Sequence, residues 1–259
     1  MNILTIDIGN TRTTFGVFKG TKLVNTTHIP SSALASSTKS MKYIRQLLRK
    51  CNVSQDKLSG VAISSVVPSL TKKLLLVLKR ELHIHPLVIS GNLNVGLRIG
   101  YDNPVTLGAD RICNAVAAYH KYGGPIIVID AGTATTFDVV SKNGTFLGGA
   151  IAPGILTAAS ALNQRTAQLP AITLQFPKCV IEKTTIGNIQ SGILYGAIDM
   201  MEGMIKRIKS ITGQQTKVIL TGGFSNLLKK KTRVVNAVEP TLVLEGARLI
   251  FERIQRSSQ

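Results

Sequence analysis

The chain has 259 residues, of which 44% are hydrophobic and 17% are charged. This apolar content is too high for a disordered chain and too low for a membrane-embedded protein, and the length suits one large domain or two domains of about 130 residues. The 31 Lys and Arg residues outnumber the 13 Asp and Glu residues, and the net charge of +18 favours anionic partners, namely nucleotides, nucleic acid or an anionic membrane surface.

The cysteine and histidine patterns predict neither a disulfide framework nor a metal cluster. The three cysteines are far apart and form no CxxC pair. His83 and His85 lie close together, but on a predicted strand, where alternate side chains point to opposite faces. There is no basic segment before Asp7, and no apolar run reaches the roughly 18 residues of a membrane span. We therefore expect a cytoplasmic protein without a membrane partner.

The predicted elements alternate between strands and helices along the chain. A strand over residues 3–8 and its hairpin partner over 13–18 come first, followed by a helix over 40–51, a strand over 61–65, a basic helix over 69–82 and a strand over 87–90. A helix over 109–122 precedes a second hairpin of strands over 125–130 and 135–140. Helices over 155–162 and 189–211, a strand over 217–221 and a helix over 242–255 follow. This order predicts an α/β fold.

An internal repeat divides the chain. IDIGNTRTTFGVF at residues 6–18 aligns with IDAGTATTFDVV at residues 129–140 when one residue is deleted, so that Asp7 falls on Asp130 and Gly9 on Gly132. A weaker match relates GVAISSVVPSL from Gly60 to KVILTGGFSNL from residue 217. The repeat predicts two similar α/β halves, residues 1–118 and 119–259, with the C-terminal helix packed back on the first half.

Each repeated hairpin offers groups that bind phosphate. Gly9 permits a sharp turn, and successive N–H groups with the hydroxyls of Thr11, Thr13 and Thr14 can surround phosphate oxygens, while Asp7 can hold a hydrated Mg²⁺. The second half offers the equivalent threonines Thr133, Thr135 and Thr136. One such hairpin alone is explained more simply by turn and strand preferences. The matched pair predicts a nucleotide cleft, whereas neither GxxxxGK[ST] nor GxGxxG occurs.

These hairpins resemble those of the superfamily of acetate and sugar kinases, heat-shock ATPases and actin. The segments YDNPVTLGADR, IDAGTATTFDVV, GGAIAPG, TTIGNIQSG and ILTGGFS are similar in order and spacing to type III pantothenate kinases, over essentially the whole chain. The resemblance implies two ribonuclease-H-like (actin-like ATPase) α/β halves with a nucleotide cleft between them. Asn188 departs from the pattern, which has a small apolar residue there.

The resemblance implies ATP-dependent phosphorylation of pantothenate to 4'-phosphopantothenate, the first step of coenzyme A biosynthesis. It implies ATP as co-substrate, Mg²⁺, a monovalent cation (K⁺ or NH₄⁺), and a homodimer whose interface helps to form the acceptor site. By position, Asp110 is the implied catalytic base, Asp130 the residue at the monovalent cation, and Asp7 the residue that holds Mg²⁺ through water. The implied ATP-binding residues are Asp7, Ile8, Gly9, Asn10, Thr11, Arg12, Thr13, Thr14 and Thr133. The implied pantothenate-binding residues are Tyr101, Gly108, Ala109, Asp110, Arg111 and Thr185.

Several of these residues have simpler explanations from sequence alone. Asp110 precedes a predicted helix and would equally serve as its N-cap, and Arg111 either pairs with the substrate carboxylate or lies on a helix surface. Residues 221–223 form a strand-to-helix turn suited to adenosine. GGAIAPG at residues 148–154 is interpreted as a hinge or packing turn.

The excess of basic residues leaves a second function open. Lysines and arginines cluster on several predicted helices, where solvated helix faces are the simpler explanation. The alternative is a nucleic-acid-binding transcriptional accessory factor on the same fold, although no helix-turn-helix, RNP or zinc pattern supports it and we expect no specific nucleic-acid partner. A kinase of the same superfamily acting on another small alcohol is a third possibility.

Overall fold

The computed structural model describes residues 1–257 and divides them into two compact units. The first unit comprises Met1–Lys121 and the residues from Leu242 onward, and the second comprises Tyr122–Thr241. The expected second half, residues 119–259, included the last helix, whereas the structure assigns that helix to the first unit. The last helix joins the first unit because its apolar face packs on three strands there.

The first unit is built on a sheet with the strand order β3-β2-β1-β4-β5. Its strands are β1 (Asn2–Ile8), β2 (Arg12–Lys19), β3 (Lys22–Pro30), β4 (Gly60–Ser65) and β5 (Leu87–Val88), and a further short strand is β6 (Arg98–Ile99). Its helices are α1 (Ser37–Lys50), α2 (Pro68–Leu82), α3 (Ala109–Tyr122) and α7 (Leu242–Ser257), with single 3₁₀ turns at Ser31–Ala35, Gln55–Lys57 and Pro104–Thr106. The apolar strands β1 and β4 lie in the centre because their side chains are buried on both faces.

The second unit repeats this sheet order as β9-β8-β7-β10-β11. Its strands are β7 (Ile126–Ala131), β8 (Ala134–Val140), β9 (Thr145–Pro153), β10 (Lys217–Thr221) and β11 (Ala237–Val238), and its helices are α4 (Ile155–Arg165), α5 (Thr185–Thr212) and α6 (Ser225–Lys229). The strands β1 and β7 are each antiparallel to the next strand and parallel to β4 or β10. The weaker sequence match between residues 60 and 217 therefore corresponds to the equivalent strands β4 and β10.

Each unit has its own apolar core. In the first unit, β1, β2 and β4 pack against α1 and α2 around fully buried side chains such as Phe15 and Ile63. In the second unit, β7 and β10 pack against α5 around residues such as Phe137 and Leu194. Helices α3 and α7 approach closely, since a Cβ atom on Gly246 would lie 1.9 Å from the carbonyl oxygen of Cys113. Glycine at this position lets the two backbones meet.

Two local predictions are wrong. His83 is the left-handed residue that ends α2, at φ 54°, and no strand contains His83 or His85, because α2 continues to Leu82. Most of GGAIAPG lies in strand β9, which pairs with β8, and only Gly154 follows the strand. The ladder of pairs with β8 makes this segment part of the sheet and not a hinge. Within residues 1–257, no helix is both long and apolar enough to cross a membrane.

Candidate active site

The first hairpin places Asp7 in a row of polar side chains. Asp7 is paired with Thr14 on the antiparallel strand β2 and with Ser64 on the parallel strand β4. Paired residues project from the same face of a sheet, so the three side chains are neighbours. The Oγ of Ser64 donates a hydrogen bond of 2.9 Å to Oδ1 of Asp7. The sheet register thus fixes Asp7 at the edge where β1 and β4 both end.

The turn between β1 and β2 is held by its own backbone and by Ser31. The N–H of Gly9 donates to the carbonyl of Arg12 at 3.1 Å, and a Cβ on Gly9 would lie 3.0 Å from that oxygen. Ser31 donates from its N–H to the carbonyl of Thr11 at 3.0 Å and from Oγ to the carbonyl of Gly9 at 2.6 Å. Ser31 is buried and joins the turn to the end of β3. Sequence analysis missed this residue because it also missed β3.

The expected ATP-binding residues differ in their exposure. Asn10, Thr11 and Arg12 are exposed at the turn, and the neighbouring Asp7, Gly9 and Thr14 are partly exposed. Ile8 and Thr13 are fully buried. The Thr13 hydroxyl lies 3.0 Å from Oγ of Ser31, and its expected contact with a phosphate stays a prediction. Strand alternation explains why Thr13 is buried and Thr14 is partly exposed, since the two side chains project to opposite faces of β2.

Asp110 lies in the first turn of α3 rather than before it. The helix begins at Ala109, and Oδ1 of Asp110 accepts a 2.8 Å hydrogen bond from the N–H of Arg111. Burial raises the pKa of the Asp110 carboxyl, while this hydrogen bond and the Arg111 charge oppose the increase. A Cβ on Gly108 would lie 2.5 Å from Oδ1 of Asp110 and 3.7 Å from a methyl carbon of Val66. Glycine at position 108 therefore leaves room for the carboxylate beside the end of β4.

The charges of Asp7 and Asp110 both act on one buried thiol. Cys113 follows Asp110 by one turn of α3 and has no exposed surface. Burial raises the pKa of Cys113 well above its usual value, and the negative charges of Asp7 and Asp110 raise it further. Both carboxylates are thus close enough to act on one sulfur atom. The first unit alone brings the implied base and the implied phosphate-hairpin acid together.

The implied pantothenate-binding residues of the first unit also converge on the start of α3. The Arg111 guanidinium carbon lies 5.9 Å from the centre of the Tyr101 ring, and Arg111 is only 7% exposed. A buried, planar guanidinium next to an aromatic ring is suited to a carboxylate ligand. Ala109 is buried, so its side chain serves packing.

The second hairpin has a similar turn, which contains Gly132 and is covered by Gly154. The N–H of Gly132 donates to the carbonyl of Ala134 at 3.0 Å, as Gly9 does to Arg12 in the first hairpin. The N–H of Gly154 donates to the carbonyl of Thr133 at 3.1 Å, and a Cβ on Gly154 would lie 2.2 Å from the Gly132 carbonyl oxygen. The backbone after β9 therefore lies directly on this turn.

Asp130 is covered by Gly222, the residue after β10. Gly222 has φ +89°, and a Cβ there would lie 2.3 Å from Oδ1 of Asp130 and 2.7 Å from the backbone of Ala131. Asp130 is paired with Thr221 on the parallel strand β10, whose hydroxyl donates to the carbonyl of Glu239 at 2.6 Å. The turn at residues 221–223 thus brings backbone against the Asp130 carboxylate.

Thr185 is the exposed first residue of α5. The preceding Thr184 caps the helix by accepting a 3.1 Å hydrogen bond from the N–H of Gly187. Thr185 and Asn188, one turn apart, line a cavity of about 490 Å³. The other lining residues are apolar or glycine, namely Leu162, Leu169, Ile189, Gly192 and Ile193. Asn188 therefore adds a polar group to a depression that is otherwise mostly apolar.

The donor set of the first hairpin fits Mg²⁺ bound jointly with phosphates. No group of three or more His, Cys, Asp or Glu side chains within residues 1–257 is arranged to hold a metal by itself. Mg²⁺ commonly takes one or two carboxylates together with water and substrate phosphates. Asp7, beside the exposed turn at residues 10–12, supplies such a carboxylate.

Comparisons with known proteins identify the family of this chain. A sequence model of the type III pantothenate kinase family matches residues 3–207. The chain belongs to the type III pantothenate kinase family. A type III pantothenate kinase of Moorella thermoacetica is 41% identical over 251 residues, which cover 97% of this chain and 99% of that protein.

Two solved structures confirm the predicted actin-like α/β fold. The activator of the 2-hydroxyisocaproyl-CoA dehydratase from Clostridium difficile, with bound ADPNP, has a TM-score of 0.61 at 16% identity and covers 100% of this chain and 97% of its own. A ROK hexokinase from Thermus thermophilus has a TM-score of 0.54 at 12% identity, with coverage of 99% and 100%. At these identities the likeness concerns the fold alone. Membership of a kinase family does not favour the alternative of a transcriptional accessory factor.

Proposed function

We propose that this chain transfers the γ-phosphate of ATP to the primary hydroxyl of pantothenate, giving 4'-phosphopantothenate in the first step of coenzyme A biosynthesis. Family membership supports ATP and pantothenate as the substrates. The observation that carries the assignment of residues is the Asp110 carboxyl at the start of α3, which accepts a hydrogen bond from the Arg111 N–H and lies beside Gly108.

Asp110 is the base in this proposal, and Arg111 with Tyr101 binds the pantothenate carboxylate. Phosphoryl transfer requires alignment and charge neutralisation more than covalent chemistry. As the substrate hydroxyl attacks phosphorus, Asp110 accepts its proton, and a pKa raised by burial makes this carboxylate a stronger base than an exposed one. Arg111 presents a planar pair of N–H donors that matches a carboxylate.

The first hairpin holds ATP through the exposed turn at residues 9–12 and through Thr14, and Thr133 contacts ATP from the second hairpin. Asp7 would hold Mg²⁺ through water, and this ion would supply charge neutralisation at the phosphates. Asp130, enclosed by the turn after β10, holds K⁺ or NH₄⁺. These ions are proposed on the chemistry of the carboxylates and on the family resemblance.

The proposed assembly is a cytoplasmic homodimer whose second copy completes the acceptor site near Thr185. Exposed apolar side chains on β9, α4 and α5 support a protein interface, because large apolar side chains are rarely grouped on the surface of a monomer. Ile151, Leu156 and Ile186 are 63%, 47% and 48% exposed. Light scattering of the purified chain measures the oligomeric state, and a monomer at micromolar concentration would contradict the dimer.

A coupled assay of ADP release tests the proposed reaction. ADP should appear only with pantothenate and a divalent metal present, and replacing K⁺ by Na⁺ at constant ionic strength should reduce turnover sharply. Equal rates in the two salts would contradict the role of Asp130. ADP release from another small alcohol, with none from pantothenate, would contradict the proposed substrate.

A further inference from the structure

Ser64 is a buried hydroxyl placed directly beside Asp7. It lies at the carboxyl end of β4, in register with Asp7 on β1, and has no exposed surface. Its Oγ donates to Oδ1 of Asp7 at 2.9 Å. A buried serine that donates to a carboxylate restricts the orientation of that carboxylate, because rotation of Asp7 would leave the hydroxyl unpaired.

The Ser64 hydroxyl is committed to Asp7. A serine hydroxyl has one proton to donate and two lone pairs that accept. Because Oγ of Ser64 donates this proton to Oδ1 of Asp7, the serine cannot donate to another group at the same time.

The second half of the chain provides an internal comparison. Thr221 occupies the position equivalent to Ser64, in register with Asp130 on the neighbouring strand. Its hydroxyl donates to the carbonyl of Glu239 at 2.6 Å. The repeated fold therefore does not oblige a hydroxyl at this register to bond to the adjacent carboxylate. The contact between Ser64 and Asp7 is a feature of the first half.

We propose that Ser64 is a positioning residue that orients the Asp7 carboxylate toward the divalent cation of the bound nucleotide. This inference rests on the proposed role of Asp7. Ser64 itself touches neither the nucleotide nor the reacting atoms, and it acts through Asp7.

Electron paramagnetic resonance of Mn²⁺, titrated in the presence of β,γ-imido-ATP, measures cation binding without turnover. Ser64→Ala should weaken Mn²⁺ binding by about tenfold or more, as expected when a charged group loses a buried hydrogen bond. In an Asp7→Asn background, Ser64→Ala should cause no further loss, since the effect passes through Asp7. Ser40→Ala is the matched control, because Ser40 is also buried and its hydroxyl donates to backbone carbonyls, those of Leu34 and Ser36.

The outcomes separate a positioning role from a structural one. If Ser64→Ala and Ser40→Ala lose similar thermal stability but bind Mn²⁺ like wild type, the proposal is overturned. If Ser64→Ala does not fold, Ser64→Cys keeps the size with a weaker donor, and Mn²⁺ affinity equal to wild type in that variant would also overturn it. If Ser64→Ala binds Mn²⁺ more weakly than wild type, but wild type does not phosphorylate pantothenate, this inference stands and the proposed function is contradicted.

Discussion

The carboxyl group of Asp110 is subject to opposing influences at the start of α3. Burial disfavours its ionised form, whereas the N–H and the charge of Arg111 favour it. The balance raises the pKa, so the group is a stronger base than an exposed aspartate while remaining hydrogen-bonded. A residue that served only as a helix cap would have no need of this burial.

Replacing Asp110 by Asn separates the base from the cap. Asn keeps the size and can accept the hydrogen bond from the Arg111 N–H, but it cannot accept the substrate proton as a carboxylate does. We expect turnover at saturating pantothenate to fall about 10²–10⁴-fold. The melting temperature should not decrease, and ATP binding should persist because the phosphate hairpins are unchanged. A stable variant with nearly normal turnover would leave Asp110 as a cap alone.

The raised pKa also predicts how stability depends on pH. A carboxyl with a raised pKa in the folded state binds more protons there than in the unfolded chain. Its contribution to stability is therefore complete below the unfolded pKa of about 3.9. That contribution is lost as pH rises through the folded pKa. The free energy of unfolding of Asp110→Asn, relative to wild type, should therefore increase as pH rises from about 4 to neutrality. Urea denaturation across this range measures it, and a pH-independent difference would contradict the raised pKa.

Sequence patterns mark the residues expected to contact ligands better than the residues that hold them in place. Asp7, Asp110 and Arg111 could be found because motif spacing marks them. Ser31 and Ser64 could not, because an isolated serine carries no signal and its partner is set by strand register. The inward orientation of Thr13 follows from register in the same way.

At the scale of elements, the turn after β10 determines what can approach Asp130. Gly222 adopts φ +89° and lies against both the carboxylate and the Ala131 backbone. An L-residue in this region of backbone conformation is strained, and here a side chain would also collide with backbone that cannot move aside.

Gly222→Ala should therefore destabilise the fold by more than conformational strain alone would. Gly123→Ala is the matched control in the same unit, because Gly123 has φ +68° and no atom within 4 Å of the added Cβ. The control should lose about 1–2 kcal/mol of unfolding free energy. Gly222→Ala should lose about 1–3 kcal/mol more from the collision and should need more K⁺ for half-maximal activity. Chemical denaturation and K⁺ titration measure both, and equal behaviour of the two variants would contradict the close packing at Asp130.

Sequence periodicity predicted the central strands of the sheets but not the third strand of each meander, β3 or β9. Strands β1, β4 and β7 have continuous apolar runs and could be recognised directly. Strands β3 and β9 lie beyond the hairpins with half-exposed polar or glycine residues, so their sequences resemble loops. Their presence depends on pairing with β2 and β8, a contact between neighbouring segments that periodicity within one segment does not report.

At the scale of the whole molecule, the net charge of +18 lies largely on exposed helix faces. The exposed basic residues of α1 are Lys39, Lys42, Arg45, Arg49 and Lys50, and the opposite face of that helix is buried in the core. Helix α2 contributes Lys72, Lys73, Lys79 and Arg80, and its Glu81 pairs with Arg45 and Arg80. Such exposed ion pairs add little to stability, so the charge acts mainly on what approaches from solution.

These faces predict weak and unselective binding to duplex DNA. Lysines and arginines spread along solvated helices contact phosphates but supply no base-reading element, so affinity should be independent of sequence and should decrease steeply with salt. Fluorescence anisotropy with two unrelated duplexes, at about 50 and 200 mM salt, measures the affinity and its salt dependence. A protein that makes about 6–10 phosphate contacts would lose about 10³–10⁵-fold in affinity between these two salt concentrations. Since the basic faces are separate from Asp110, Asp110→Asn should bind DNA like wild type. Tight, sequence-selective binding at physiological salt would instead restore the transcriptional accessory factor as a function of this chain.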